Sequence, residues 1–162
     1  TTVKSPINLM ITFNALTVTT FKDLLVKILE WRKKYQGVIV PPKEGSGRTI
    51  RFDTPYLKEP LHYDMNILPK EEFMPYMTEA LAFIFENVDD DDPTMFQTME
   101  YEKFRRVHDY MAQTTYSEDK LKIAHKDFYL WFNEYDKRRK TNFLETFPEY
   151  RNFYEWCRTL SE

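Results

Sequence analysis

The sequence predicts an α+β fold that is mostly helical, with two β-strands near the start of the chain. Apolar residues alternate over residues 7–13, as in a strand, and recur at helical spacing over residues 21–29. From Pro69 onward only helical periodicity remains. With 162 residues, 42% of them hydrophobic and 30% charged, the chain has the composition of a globular protein and the length for one domain with a sizeable core.

The first strand is predicted over residues 7–13. One face of it is apolar and Met10 adds an apolar residue to the other, which indicates a largely buried strand. The apolar face consists of Ile7, Leu9, Ile11 and Phe13.

A helix follows this strand closely. Three threonines offer N-caps before it, namely Thr17, Thr19 and Thr20. Its apolar stripe consists of Phe21, Leu24, Leu25, Ile28 and Leu29. The helix ends near residues 31–35, where we interpret the basic residues Arg32, Lys33 and Lys34 as solvated charge that suits the negative end of the helix dipole.

The second strand is predicted over residues 49–54, with Ile50 and Phe52 on one face, after a loop at Pro41, Pro42, Gly45 and Gly47. A strand, a helix and a strand in this order fit a right-handed parallel crossover unit. Two strands alone leave sheet edges exposed. The helical remainder of the chain, a second copy, or strands of a longer parent protein would cover them.

Four or five helices are predicted after residue 69. The first begins at Pro69, with Pro75 either kinking it or marking its true start; its stripe is Phe73, Met77, Leu81, Ile84, Phe85 and Val88. The acidic run 89–92, closed by Pro93, ends this helix in a loop and lacks the ligand spacing of an EF-hand.

The remaining helices carry further apolar stripes. Thr94 or Thr98 caps the next helix, whose inward residues are Met99, Phe104, Val107 and Met111. Ser117 caps a helix through Lys140 with Leu121, Ala124, Phe128, Trp131, Phe132 and Tyr135 inward. The last helix begins at Pro148 and uses Tyr150, Phe153, Cys157 and Leu160. We therefore divide the chain into a strand-bearing segment, 1–68, and a helical segment, 69–162.

Signatures of common enzymes are absent from the sequence. It has no Gly-rich phosphate loop, no zinc-protease helix and no nucleophile elbow. The histidines His62, His108 and His125 are scattered, and we interpret them as ordinary surface or core residues. Cys157, the single cysteine, lies on an apolar stripe and is interpreted as a buried structural thiol. One cysteine excludes a Cys-rich metal site built from this chain alone.

Charge and hydropathy limit the partners. No run of 18 apolar residues and no signal pattern is present, so neither membrane insertion nor secretion is indicated, and a cytoplasmic location is expected. The net charge of −3 makes nucleic acid an unfavoured partner. The basic run 137–140 beside Tyr135 and Phe143 leaves open single-stranded nucleic-acid binding through Arg138 and Arg139, although helix ends routinely carry such residues.

Two groups of stretches carry a resemblance to a known family. The C-terminal group consists of residues 127–129 (DFY), Phe132, residues 136–139 (DKRR) and residues 141–149 (TNFLETFPE). The second group consists of residues 12–21 (TFNALTVTTF) and 53–60 (DTPYLKEP). The first group resembles the C-terminal signature of twitch-domain-containing radical S-adenosylmethionine (radical SAM) proteins from marine phages and bacteria, and the second is similar to late strand-and-loop segments of the same proteins. Together these stretches span most of the chain.

The resemblance implies a partial (β/α) barrel, followed by a helical extension, that binds S-adenosylmethionine and a four-iron four-sulfur cluster. The family holds its cluster with a Cys-x-x-x-Cys-x-x-Cys motif in the N-terminal half, and this chain has no such motif. The expectation is therefore a C-terminal fragment or subunit that is not catalytic alone. Its expected partner is the missing cluster-bearing N-terminal segment, or a second copy joined through exposed strand edges.

Ligand residues are expected at the C-terminal ends of the strands, where parallel α/β sheets and barrels place their sites. The candidates are Thr12 and Asn14 after the first strand, and Asp53 and Tyr56 after the second. Each has a structural alternative: Asn14 and Asp53 cap or turn the backbone, Thr12 pairs in the sheet, and Tyr56 packs. A different class of function, a helical module that binds a protein partner through aromatic and basic surface, is the alternative to the radical SAM interpretation.

Overall fold

The computed structural model describes residues 6–36 and 47–161. The elements, in chain order, are β1 (Ile7–Met10), α1 (Phe21–Lys34), β2 (Ile50–Asp53), α2 (Lys70–Glu86), α3 (Thr98–Gln113), α4 (Glu118–Arg139), α5 (Phe143–Thr146) and α6 (Arg151–Thr159). Short 3-10 turns lie at Leu61–Tyr63, Met65–Ile67 and Pro148–Tyr150. The predicted fold, a strand–helix–strand unit followed by several helices, is confirmed. The predicted loop residues Pro41, Pro42 and Gly45 lie outside the described residues.

None of the helices in residues 6–36 and 47–161 is both long enough and apolar enough to cross a membrane.

The two strands pair in parallel, as their order with an intervening helix predicts. Ile7 lies opposite Ile50 and Leu9 lies opposite Phe52. An isolated bridge between Phe13 and Tyr56 continues the pairing beyond the strands. Parallel strands need a long crossover connection, and α1 supplies it.

β1 is shorter and more exposed than the alternation predicts, so the expectation of a largely buried strand is wrong. It ends at Met10, and the side chains of Ile7 and Met10 are 54% and 66% exposed. Ile50 and Phe52 of β2 are buried. The difference arises because β1 forms an open edge of the sheet, whereas helices cover β2.

The core is built largely from aromatic rings that join the strand unit to the helices. Phe13 and Phe21 lie with their ring centroids 5.2 Å apart, and Phe104 of α3 lies 4.6 Å from Phe21. Residues from both sides of the predicted division at residue 68 belong to this one core. The division into two segments stays a prediction.

A second group of rings packs α4, α5 and α6 together. The Phe143 ring stacks on Tyr154 at a centroid distance of 4.8 Å and meets Phe128 edge-on at 5.6 Å. Phe153 of α6 lies 5.1 Å from Phe128. Because edge-to-face and offset-stacked pairs are favourable geometries, these rings fix the short α5 against its longer neighbours.

On the helices, four apolar residues predicted to face inward are instead exposed, namely Phe85, Met99, Trp131 and Tyr135. On α2 the buried positions near the end are Ala80 and Ile84 rather than Phe85. Helical periodicity gives a stripe, but neighbouring elements cover only part of its width. Residues at the uncovered margin therefore point to solvent.

The helix caps predicted from the sequence are correct at some helix starts and wrong at others. Ser117 caps α4, and its Oγ accepts from the Lys120 backbone N–H at 3.3 Å. The residue before α3 is Gln97, whose backbone N–H donates to the Glu100 carboxylate at 3.0 Å, so neither Thr94 nor Thr98 caps that helix. Pro75 lies within α2, which begins directly after Pro69.

Arg32 is not solvated charge, and that interpretation is wrong for this residue. Its side chain is buried, and Nη2 lies 2.6 Å from Glu100 Oε1 of α3. Nε donates to the Ile50 carbonyl at 2.8 Å and Nη1 donates to the Met95 carbonyl at 2.7 Å. Lys33 and Lys34 are exposed, as expected. Arg32 thereby ties the end of α1 to the far edge of β2 and to α3.

The acidic run 89–92 forms a loop, as predicted. The Asp89 and Asp92 carbonyls accept from Arg48 Nη2 at 2.7 and 3.0 Å. The Asp90 carboxylate accepts from Thr98, and the Asp92 carboxylate accepts from Thr94. Its oxygens therefore bond to Arg48 and to neighbouring threonines.

Candidate functional site

One face of the two-stranded sheet is polar and turned away from α1. Because successive strand side chains alternate between faces, the burial of Ile50 and Phe52 places Arg51 and Asp53 on the opposite face. Phe52 contacts Phe21 of α1, with 6.3 Å between the ring centroids. The register places Asn8 beside Arg51 and Met10 beside Asp53. These four residues, Asn8, Met10, Arg51 and Asp53, are here called the polar sheet face.

The polar sheet face and the start of α3 enclose a groove of about 540 Å³. On the α3 side the groove is lined by Gln97, Met99, Glu100 and Lys103. Lys103 Nζ lies 3.2 Å from Asp53 Oδ2, so this carboxylate is paired with a cation across the groove.

Arg51 is the most distinctive residue of this groove. Its Nε is buried without a hydrogen-bond partner, and no hydrogen bond or ion pair joins its guanidinium to another residue of the described segments. A buried donor without a partner is uncommon, which suggests that a ligand or further chain completes it. Arg51 was not predicted as a site residue, because a charged residue in an alternating strand is expected to face solvent.

Asn14 uses its side chain to form the turn after β1. Its Oδ1 accepts from the Leu16 backbone N–H at 2.9 Å, and its Nδ2 donates to the Thr12 carbonyl at 3.0 Å. These are the bonds of the turn-forming alternative. Thr12 itself is exposed.

Asp53 and Tyr56 lie at the end of β2 but in different surroundings. Asp53 faces the groove, and its Oδ1 also accepts from the Thr54 backbone N–H at 2.9 Å. The Tyr56 ring stacks on Tyr110 of α3 at a centroid distance of 4.5 Å, beneath the ammonium of Lys58.

The bridge between Phe13 and Tyr56 brings the chain around Thr12 and Asn14 next to Tyr56. Of the four predicted ligand residues, Asp53 lines the groove, whereas the other three are not among its lining residues. Their roles as ligands stay predictions.

A carboxylate held by two tyrosine hydroxyls lies next to this stack. Asp64 is fully buried, and its Oδ2 accepts from Tyr110 at 2.8 Å and from Tyr116 at 2.5 Å. Burial raises the pKa of both tyrosines, so the hydroxyls remain protonated donors at neutral pH. Nothing in the sequence marked this cluster, since its members are 46 and 52 residues apart.

The histidines and the cysteine do not form a metal centre in the described part of the chain, where no three His, Cys, Asp or Glu side chains are arranged to hold an ion. His62 packs on Trp131, and His108 Nε2 lies 3.3 Å from Thr78 Oγ1. Cys157 is buried on α6, and burial raises the pKa of its thiol to about 12. Such a thiol stays protonated at neutral pH and is a poor nucleophile.

The burial of His125 is expected to make the free energy of unfolding depend on pH. It is buried, Nε2 lies 2.6 Å from the Ile67 carbonyl, and burial lowers its pKa. In the unfolded chain its pKa returns to about 6.5, so the unfolded state binds more protons as the pH falls below that value. The free energy of unfolding is therefore expected to fall between pH 7 and pH 5.

Urea denaturation followed by circular dichroism at several pH values measures this slope. In His125→Gln, which retains an N–H donor for Ile67, the slope is expected to be shallower than in the parent chain. His108→Gln is the matched control. Equal slopes in the parent and in His125→Gln would rule out this role of His125.

No protein-family model, curated protein sequence or solved structure matches this chain.

Proposed function

We propose that this chain is the C-terminal portion of a radical SAM enzyme-like protein. It contributes the last two strands of a partial (β/α) barrel and a helical extension, whereas a preceding segment contributes the iron–sulfur cluster site. The single observation that supports this most strongly is the asymmetry of the sheet. One edge is open for another strand and the other is closed.

The open edge belongs to β1. The backbone N–H groups of Ile7 and Ile11 donate to Thr49 and Asp53 at 2.8 and 2.9 Å, toward β2. Because alternate residues of a strand bond to opposite sides, the N–H groups of Asn8 and Met10 point away from β2. Within the described residues the sheet has two strands, and nothing pairs with this side of β1.

The opposite edge is closed by a buried side chain. The Ile50 carbonyl of β2 accepts from Arg32 Nε, and Glu100 holds the same guanidinium. A strand at this edge would have to displace the Arg32 bond, so the unpaired side of β1 is the favoured place for a further strand. In a barrel of consecutive parallel strands, the strand that precedes β1 in the chain takes this place.

The chain's own residues do not fit an iron–sulfur cluster. The family's cluster needs three thiolates, and Cys157 is one buried thiol in the helical segment. The residues of the sheet groove fit S-adenosylmethionine better than they fit a cluster. Arg51 lacks an anionic partner among the described residues, and it lines a groove of about 540 Å³ on the sheet face opposite α1. Arg51 would hold the carboxylate of S-adenosylmethionine, and this ligand would supply radical chemistry only together with a cluster held by the preceding segment.

The direct test is the mass of the native product in source material, detected with an antibody against residues 141–149. A product of about twice this chain's 19.7 kDa or more is expected, because a cluster-bearing segment must precede these strands. A native product of 19.7 kDa would overturn the proposal. The stand-alone interaction module would then be the better interpretation, since α4 exposes aromatic side chains beside arginines.

The open edge also predicts that the isolated chain self-associates. Met10→Pro is expected to shift it toward monomer without changing the fold, because proline removes the outward N–H and leaves the bonds to β2 intact. Sedimentation velocity over a hundredfold concentration range measures this change, and circular dichroism checks the fold. Met10→Val, which keeps the N–H, is the matched control. A parent chain that stays monomeric throughout, or equal behaviour of the two variants, would contradict this role of the edge.

A further inference from the structure

The exposed side of α4 carries two aromatic rings followed by two arginines. Trp131 and Tyr135 are 49% and 48% exposed and lie one helical turn apart. Arg138 and Arg139 follow one turn later, on the same side of the helix. Together with Glu134 these residues line a groove of about 380 Å³, here called the aromatic–arginine groove.

The indole of Trp131 is held in place although it is half exposed. Its Nε1 donates to the Tyr63 hydroxyl at 2.9 Å. The imidazole of His62 packs against it at a centroid distance of 5.3 Å. The ring is therefore fixed before any ligand arrives, which lowers the entropic cost of stacking on it.

The end of the groove is positively charged. Residues 137–140 are all basic, and Glu134 pairs with Arg138, with Oε1 2.7 Å from Nε. The nearby Asp136 carboxylate is turned toward the start of α5, where it accepts from Thr141 Oγ1 and the Phe143 backbone N–H, both at 2.7 Å. Cations therefore outnumber carboxylates beside the two rings, although the whole chain has a net charge of −3.

We propose that the aromatic–arginine groove binds single-stranded nucleic acid. Bases stack on Trp131 and Tyr135, and phosphates lie against Arg138 and Arg139. Every base presents a flat ring for stacking, and guanidinium groups match the charge and geometry of phosphates. An acidic peptide would match the cations but has no need for two exposed rings. This inference goes beyond the proposed function, because the groove does not involve the edge of β1.

Fluorescence anisotropy with a labelled oligothymidylate tests the proposal at increasing salt concentrations. The expected affinity falls with salt, and Trp131→Ala weakens it by about tenfold or more, the typical effect of removing a stacking ring. Arg139→Gln is expected to reduce the slope of log affinity against log salt by about 0.7, the value for one phosphate contact on a single strand.

Two control variants separate stacking from folding. Trp131→Phe keeps a ring without the bond to Tyr63 and is expected to retain most of the affinity. Trp156→Ala, at a tryptophan of α6 that is 46% exposed, is expected to leave the affinity unchanged. The proposal is overturned if the oligothymidylate does not bind at low salt, or if the two alanine variants behave alike. Displacement by polyglutamate as readily as by unlabelled oligothymidylate would also overturn it and would point to an acidic protein partner.

The outcome of the oligothymidylate-binding experiment does not depend on the proposed function. Met10→Pro, which removes the outward N–H of β1, is expected to bind the oligothymidylate with unchanged affinity per chain. Failure of the native-mass test therefore leaves this proposal standing, and failure of oligothymidylate binding leaves the barrel proposal standing.

Discussion

Glu100→Gln is expected to lower the free energy of unfolding by about 3 kcal/mol or more, the usual result of removing one partner from a buried ion pair. The Arg32 guanidinium is buried, and the Glu100 carboxylate accepts from it at 2.6 and 3.2 Å. Without the carboxylate, the charge of Arg32 stays buried and keeps only carbonyl partners. Glutamine is nearly isosteric with glutamate, so the loss reports the missing carboxylate, including its bond from the Gln97 backbone N–H, rather than a cavity.

Glu102→Gln on the same helix is the matched control. Glu102 also pairs with an arginine, Arg105, at 2.6 Å, but both side chains are exposed and screened by water. Guanidinium chloride denaturation followed by circular dichroism is expected to give a clear loss for Glu100→Gln and almost none for Glu102→Gln. Similar midpoints for both variants would mean that the buried pair is not a main support of the fold.

A double substitution distinguishes the ion pair from the bonds that Arg32 makes to the backbone. Arg32→Met combined with Glu100→Gln removes the unpaired charge, so it should recover part of the stability lost by Glu100→Gln alone. It also leaves the Ile50 carbonyl without its Arg32 donor, whereas the Met95 carbonyl loses Arg32 but still accepts from Arg48 Nε at 2.9 Å. Full recovery would mean that these carbonyl bonds contribute little.

Asp64→Ala is expected to lower the free energy of unfolding by about 3 kcal/mol, because two half-buried tyrosine hydroxyls and a buried backbone N–H lose a charged acceptor at once. Besides the two tyrosine hydroxyls, the Asn66 backbone N–H donates to Asp64 Oδ1 at 2.8 Å. Together these bonds tie the segment after β2 to α3 and to the turn that carries Tyr116. Thermal and urea denaturation of the variant measure the loss.

Asp109→Ala, at a partly exposed position on α3, is the control for this substitution and is expected to change stability little. Tyr116→Phe should lose less than Asp64→Ala, since it removes one donor and leaves Tyr110 bonded. A loss in Tyr116→Phe equal to that of Asp64→Ala would place the whole effect in that one hydroxyl. No loss in Asp64→Ala would contradict the role of the carboxylate.

The sequence by itself determined the order of the elements, the strand–helix–strand unit and the helices that follow it. It also determined the cap of α4 at Ser117 and the buried face of β2. These features depend on interactions between residues a few positions apart, and such interactions leave periodic patterns in the sequence. The core of rings was also predictable, because 17% of the residues are aromatic.

The tertiary structure alone decided which members of a local pattern are covered. Arg32 is buried because it pairs with Glu100 of α3, whereas Lys33 and Lys34 are exposed. Glu100 lies 68 residues away in the sequence, so no local pattern could indicate this pair. Trp131 and Tyr135 belong to an apolar stripe, yet the turn at Leu61–Tyr63 covers Trp131 only in part, and both rings are about half exposed in the described structure. Arg51 differs from an ordinary solvent-facing arginine because its Nε is buried without a partner, in a groove that it lines together with residues of α3. Contacts between distant segments set these environments, and neither periodicity nor composition carries information about them.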